Sequence, residues 1–168
     1  APAAQPQTGI PTATATAPAA GTAPATPVAA TAPATAGGGE ETVITTDRVK
    51  ATFDSVGGSL VRLELLSHVD TDDRNRKVFL FDRSAERVYK AQSGLITAQA
   101  GVALPNHWSP MKRIDGPTTL AGGRNELAVR FESPGEGGVK LAKSYTFTRG
   151  SYVIDVKHEV VNGGGAAV

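Results

Sequence analysis

The sequence predicts an all-β protein, an antiparallel β-sandwich, on three observations. Apolar and polar residues alternate with period two from residue 49 onward, and turns rich in Gly, Pro and Ser separate the alternating segments. No segment of helical length carries a 3.6-residue apolar period. Strands that are apolar on one face need a second layer, and two packed sheets supply it most simply.

Residues 1–39 stand apart, with 15 Ala, 8 Thr, 7 Pro and 5 Gly and no charged side chain. Proline removes backbone donors and favours extended states, and almost nothing large and apolar is present to offset ordering entropy. This segment is expected to be a disordered, low-complexity linker that reaches on the order of 120 Å at ~3.1 Å per residue when fully extended. All 17 Lys and Arg and all 16 Asp and Glu therefore fall in residues 40–168, which read as a single foldable unit.

Within that unit, Val49, Ala51 and Phe53 alternate with Lys50, Thr52 and Asp54, the signature of a half-buried strand. Ser55 to Ser59, with Gly57 and Gly58, reads as a turn leading into Val61, Leu63 and Leu65, so the two runs form a hairpin. Val78 to Phe81 is wholly apolar, as expected of a strand covered on both faces, and Arg87 to Gln92 is a further candidate strand. Leu127, Val129 and Phe131 share one face, and Ser133 to Gly138 forms a turn. Val139, Leu141, Tyr145 and Phe147 share the inward parity of the next strand, with Lys143 the exception among them. After Arg149, Gly150 and Ser151, the residues Tyr152, Ile154, Val156 and Val160 complete an antiparallel meander of three strands.

Composition excludes several kinds of chemistry. A net charge of +1 is too small for a nucleic-acid binder, which neutralises many phosphates. The absence of cysteine removes disulfides, thiolate zinc sites and cysteine nucleophiles. No run approaches the ~18 to 20 apolar residues of a membrane-spanning helix, and the uncharged start lacks the basic region of a signal peptide. Any membrane anchor is thus expected outside this sequence.

Asp70, Asp72 and Asp73 suggest a calcium loop, but Asn75 and Phe81 stand where such a loop needs Gly and Glu, so they read as a solvated connection. His68, His107 and His158 lie in no metal-ligand spacing, and His158, of inward parity, reads as a hydrogen-bonded histidine. Ser93 lacks the first glycine of a nucleophile elbow, since Ala91 stands there. Gly57-Gly58 and Gly122-Gly123 read as positive-φ turns. Trp108, between Pro105 and Pro110, is expected to fold back and cap the core. No catalytic, cofactor-binding or metal-ligating residue is assigned.

Five strings in order carry a resemblance: FDSVGGSL (53–60), YKAQSGL (89–95), LAGGRNELAV (120–129), KSYTFTRGSY (143–152) and VKHEVVN (156–162). Together they resemble the large periplasmic domain of the YidC membrane protein insertases of Gram-negative bacteria. The resemblance implies a β-supersandwich of sugar-mutarotase-like shape at the periplasmic face of the inner membrane, with the linker of residues 1–39 leading into it. It implies no enzyme activity, no cofactor, and protein partners: accessory subunits of the Sec translocon and nascent membrane proteins. Membrane contact is expected only through helices outside this sequence. It also matches Tyr89, Leu95, Leu127, Tyr145 and Tyr152 to the sheet interior, and implies that residues 40–168 are the first part of a longer domain. The competing reading is a carbohydrate-handling β-sandwich, either a binding module or a mutarotase-like enzyme; likeness of fold does not transfer activity.

Overall fold

The computed structural model describes residues 38–165 apart from 86 and 136; nearly all of the expected linker lies outside the described residues. Nine strands form two sheets: β1 (Glu41–Thr45), β2 (Val49–Asp54), β3 (Ser59–Val69), β4 (Lys77–Arg83), β5 (Val88–Tyr89), β6 (Lys112–Arg113), β7 (Glu126–Glu132), β8 (Val139–Thr148) and β9 (Ile154–Asn162). The first sheet has the order β1-β2-β3-β4-β5 and the second β6-β7-β8-β9, with every pairing antiparallel. Spatial order therefore follows chain order, as in a pair of meanders.

The expected hairpin is β2–β3, with Val49 opposite Leu65 and Ala51 opposite Leu63, and a bulge at Thr52/Phe53 shifts the register before the turn. The expected three-strand meander is β7–β8–β9, in which Phe131 faces Lys143 and Lys143 faces His158. The alternation misses two strands. β1 carries one buried side chain, Ile44, among threonines and a glutamate, and β6 is two residues long.

The core lies between the sheets. Ile44, Val49, Ala51, Phe53, Leu63 and Leu65 of the first meet Leu127, Val129, Phe131, Leu141, Tyr145 and Phe147 of the second. Phe53 is fully buried at its centre, with ring centroids 4.6 Å from Tyr145, 5.4 Å from Phe131 and 6.4 Å from Phe147. The connection between β5 and β6 closes one end by placing Pro105 and Met111 inside.

Four expectations are corrected here. Val78 to Phe81 is not covered on both faces: Val78, Phe79 and Phe81 are half-buried and Leu80 is exposed, because β4 lies toward the margin of its sheet and carries only the two-residue β5 beyond it. Tyr89 and Tyr152 are exposed rather than interior, although Tyr89 still stacks on Phe81 at 5.3 Å. Trp108 does not cap the core. Asn106 Oδ1 accepts the Trp108 N–H at 2.8 Å in a local turn that sends the indole outward, where it packs on His107 and under Lys90. Finally, only Gly123 of the Gly122-Gly123 pair has positive φ.

Because Phe53 touches three rings of the opposite sheet, Phe53→Ala is expected to destabilise the domain by about 3–5 kcal/mol. Urea unfolding checks this, and a cost below about 1 kcal/mol would mean that the two sheets do not pack through this residue.

Candidate functional site

The turn between β2 and β3 gathers side chains and backbone from most of the molecule. Asp54 Oδ1 accepts the N–H groups of Val56 at 2.8 Å and Gly39 at 2.9 Å, and Ser59 Oγ donates to Val56 O at 3.0 Å. Burial pushes the Asp54 carboxyl upward, but the Val56 N–H, the Arg83 guanidinium and the Gly39 N–H together hold it below the usual carboxylate range. Gly57 and Gly58 follow at φ 69° and 55°. A Cβ on Gly57 would stand 2.4 Å from His107 O, so a side chain is excluded on strain and on space.

Two side chains of β8 reach across the core to this turn. Lys143 Nζ donates to Gly57 O at 2.6 Å and to Ser93 O at 2.5 Å, and Tyr145 Oη donates to Gly58 O at 2.7 Å. Lys143 is fully buried and has no carboxylate partner among the described residues; burial lowers its pKa from 10.5 to about 8. Burial pushes the Tyr145 phenol up to about 12. Beside them on β9, His158 Nε2 lies 2.8 Å from Ser93 Oγ, and burial followed by the Lys143 charge lowers the imidazole's pKa.

The other singled-out residues lie elsewhere. Asp70 and Asp73 cap their own turns by accepting the N–H groups of Asp72 and Asn75, both at 2.9 Å. His68 packs edge-on against Tyr152, with Nδ1 3.3 Å from the hydroxyl, and His107 packs on Trp108. Each histidine thus has its own neighbour, and among the described residues no group of three or more His, Cys, Asp or Glu gathers to hold a metal. Sequence reasoning missed the alliance of Lys143, Ser93 and His158; the only signal was the inward parity of Lys143 and His158.

A second feature is an open face. β9 directs Ile154, Val156, His158 and Val160 to the same side as Phe147, Tyr145, Lys143 and Leu141 of β8. Those of β8 are buried, whereas Val156 is 47% and Val160 50% exposed. Of β9, only Ile154 packs against the core cluster. The opposite face of the sheet carries ion pairs, with Arg130 held by Glu132 and Glu159 and Lys157 joined to Glu159.

The resulting class is an antiparallel β-sandwich domain whose characteristic side chains bind its own backbone. Residues 41–168 match the family model described as the YidC periplasmic domain. The chain is 48% identical over 125 residues to the membrane protein insertase YidC of Dechloromonas aromatica, covering 74% of this chain and 22% of that protein. It is 44% identical over 165 residues to that of Cupriavidus metallidurans, covering 98% and 28%. The chain belongs to the family of YidC periplasmic domains, on the periplasmic side of the inner membrane. It spans 22–28% of the length of these relatives.

Four of the five strings that carried the resemblance meet at one place. Gly57 and Gly58 come from the first, Ser93 from the second, Lys143 and Tyr145 from the fourth and His158 from the fifth. Lys143 also makes stability depend on pH. Its folded pKa is below the unfolded value, so between about 8 and 10.5 the unfolded chain binds more protons and stability rises with pH. Tyr145, with its raised pKa, works in the opposite sense above pH 10. Urea unfolding is expected to show a gain on the order of 2 kcal/mol between pH 8 and 10, at about 1.4 kcal/mol per pH unit. Lys143→Met is expected to lack the rise, and a flat wild-type profile would mean that Lys143 is not desolvated.

Proposed function

We propose that this domain is a non-catalytic interaction module of a membrane protein insertase. It docks accessory subunits of the Sec translocon and contacts nascent membrane proteins in the periplasm. One observation carries the reading: Lys143 and Tyr145, the two side chains that reach across the core to the β2–β3 turn, are committed to backbone carbonyls of the domain itself. Groups held in this way position a fold rather than a substrate.

The reading extends to the domain's boundaries. Residues 40–168 are the first part of a larger β-sandwich, and the rest of the full-length polypeptide covers β9, the strand whose inward face stands open. Burying such side chains gives roughly 1.5–3 kcal/mol each, so a chain extended through the following native sequence is expected to melt several degrees higher. Equal, cooperative, monomeric melts of the two chains would refute this boundary.

The enzymatic alternative has one supporting contact, the His158 ring on the Ser93 hydroxyl. Polarimetry of glucose and galactose with the full-length protein decides it. No acceleration of mutarotation is expected, and an acceleration lost in His158→Ala would overturn the non-catalytic reading. Partner choice is tested by photocrosslinking in membranes, with probes in place of Arg62, Arg130 and Lys157 on outward-facing positions. Adducts with Sec accessory subunits and with nascent chains are expected; adducts with neither would overturn the docking role.

A further inference from the structure

We propose that the cleft beside β4 is a binding site for a phosphate group, held by Arg76, Lys77 and Arg87 with the Ser84 hydroxyl as a further donor. The site is separate from the β2–β3 turn and independent of the docking role.

The cleft encloses about 280 Å³ and is lined by those four residues, by Asp70 and Asp82, and by the Val78–Phe79 stretch of β4. The fold gathers its cations from three places. Arg76 ends the β3–β4 connection, which closes through the Asp70 N–H on Arg76 O and the Arg76 N–H on Asp73 O, both at 2.9 Å. Lys77 opens β4, and Arg87 follows the turn out of it, where the Ser84 N–H donates to Arg87 O at 2.9 Å.

Two of the cations are fixed by carbonyls at irregularities of the β3–β4 ladder. The register passes from Leu65 opposite Val78 to Val69 opposite Lys77, which leaves Leu66, Ser67 and His68 unmatched. Lys77 Nζ donates to Leu66 O at 2.9 Å. A second shift, between Leu63 and Glu64, leaves Leu80 unmatched, and Arg87 Nη2 donates to the adjoining Phe79 O at 3.1 Å.

The charges of the cleft do not cancel one another. Its acids are committed elsewhere: Asp82 lies 3.8 Å from Arg62, and Asp70 Oδ1 accepts the Asp72 N–H at 2.9 Å. Neither forms an ion pair with Arg76, Lys77 or Arg87, and among the described residues the Arg76 guanidinium has no hydrogen-bond or ion-pair partner. Arg83 and Arg130, by contrast, are each held by two carboxylates. A planar carboxylate is satisfied by a single guanidinium fork, whereas a phosphate group has the oxygens and the charge to engage two forks, an ammonium and a hydroxyl together. All three cations are exposed, so such a group reaches them without rearrangement of the core. On the periplasmic side of the inner membrane, phosphate groups are presented by phospholipid headgroups as well as by the free ion.

Amide exchange of residues 70–89 in the full-length protein tests the site. It is followed first in dodecyl maltoside micelles, with sodium phosphate against sodium acetate and sodium chloride of equal ionic strength, and then in phosphatidylglycerol nanodiscs without added phosphate. At a phosphate concentration about ten times the dissociation constant, segments that open only when the site is empty exchange about tenfold more slowly. The expected result is this slowing in residues 70–76 and in the β4–β5 turn, its loss in Arg76→Gln, and its retention in Arg74→Gln, an exposed neighbour outside the cleft. Arg76 has no partner to lose, so its variant keeps the fold. Slower exchange of the wild type than of Arg76→Gln in nanodiscs assigns the occupant to a lipid headgroup, and a difference confined to micelles with phosphate assigns it to the free ion. Equal slowing by acetate or chloride, equal loss in Arg74→Gln, or no slowing under any condition would overturn the site.

Discussion

The carbonyls of Gly57 and Gly58 set the constraint on which the rest of the sandwich depends. A tight turn that points two carbonyls into the space between sheets must find donors there, because a buried, unpaired carbonyl costs about 1–3 kcal/mol. The donors come from Lys143 and Tyr145, two residues apart on β8 and hence on one face of the opposite sheet. The same turn accepts the Met111 N–H through Ser55 O and donates the Gly57 N–H to Ser109 O, both at 2.8 Å. It thereby fixes the end of the long β5–β6 connection as well. The glycines are needed because both take positive φ, and because the His107 carbonyl leaves no room for a Cβ at Gly57 while Met111 and Phe131 crowd one at Gly58.

Closure around this junction is uneven. Under β1, β2 and β3 the side chains of β7 and β8 are buried, while burial falls away along β9 and toward β4 and β5. The outer face of the second sheet carries Arg130, Glu132, Lys157 and Glu159 in ion pairs that are substantially exposed. Exposed pairs of this kind add little stability, and their effect is to keep that face solvated. The two faces of β9 therefore differ in character: charge lies on the outside, and an apolar strip broken by His158 lies on the inside.

The five strings behind the family resemblance acquire a physical meaning from this arrangement. They are distant in sequence, yet Lys143 binds carbonyls 86 and 50 residues away, and Ser93 meets His158 across 65 residues. The NEL string completes the pattern from the other end, where Leu127 enters the core and the Asn125 carbonyl accepts the Arg149 N–H at 2.8 Å. What identifies the family is in large part what locks its two meanders together.

The alternation of Val49, Ala51 and Phe53, or of Leu127, Val129 and Phe131, determined by itself which strands form and which side of each turns inward, because a strand's side chains alternate whatever lies above them. The glycine pairs and the Ser133–Gly138 run likewise marked their turns. Whether an inward side is covered depends on the extent of the opposite sheet, which no local pattern contains. Val156, Val160, Tyr89 and Tyr152 therefore have core-like positions but exposed surfaces. Parity also placed Lys143 inside, but its reason for being there lay in carbonyls brought to it by chain closure over many tens of residues. β1 escaped notice because five residues with one buried side chain form no pattern until β2 pairs with them. Trp108 faces outward because the local hydrogen bonds of Asn106 outweigh the attraction of its ring to a core that Pro105 and Met111 already fill.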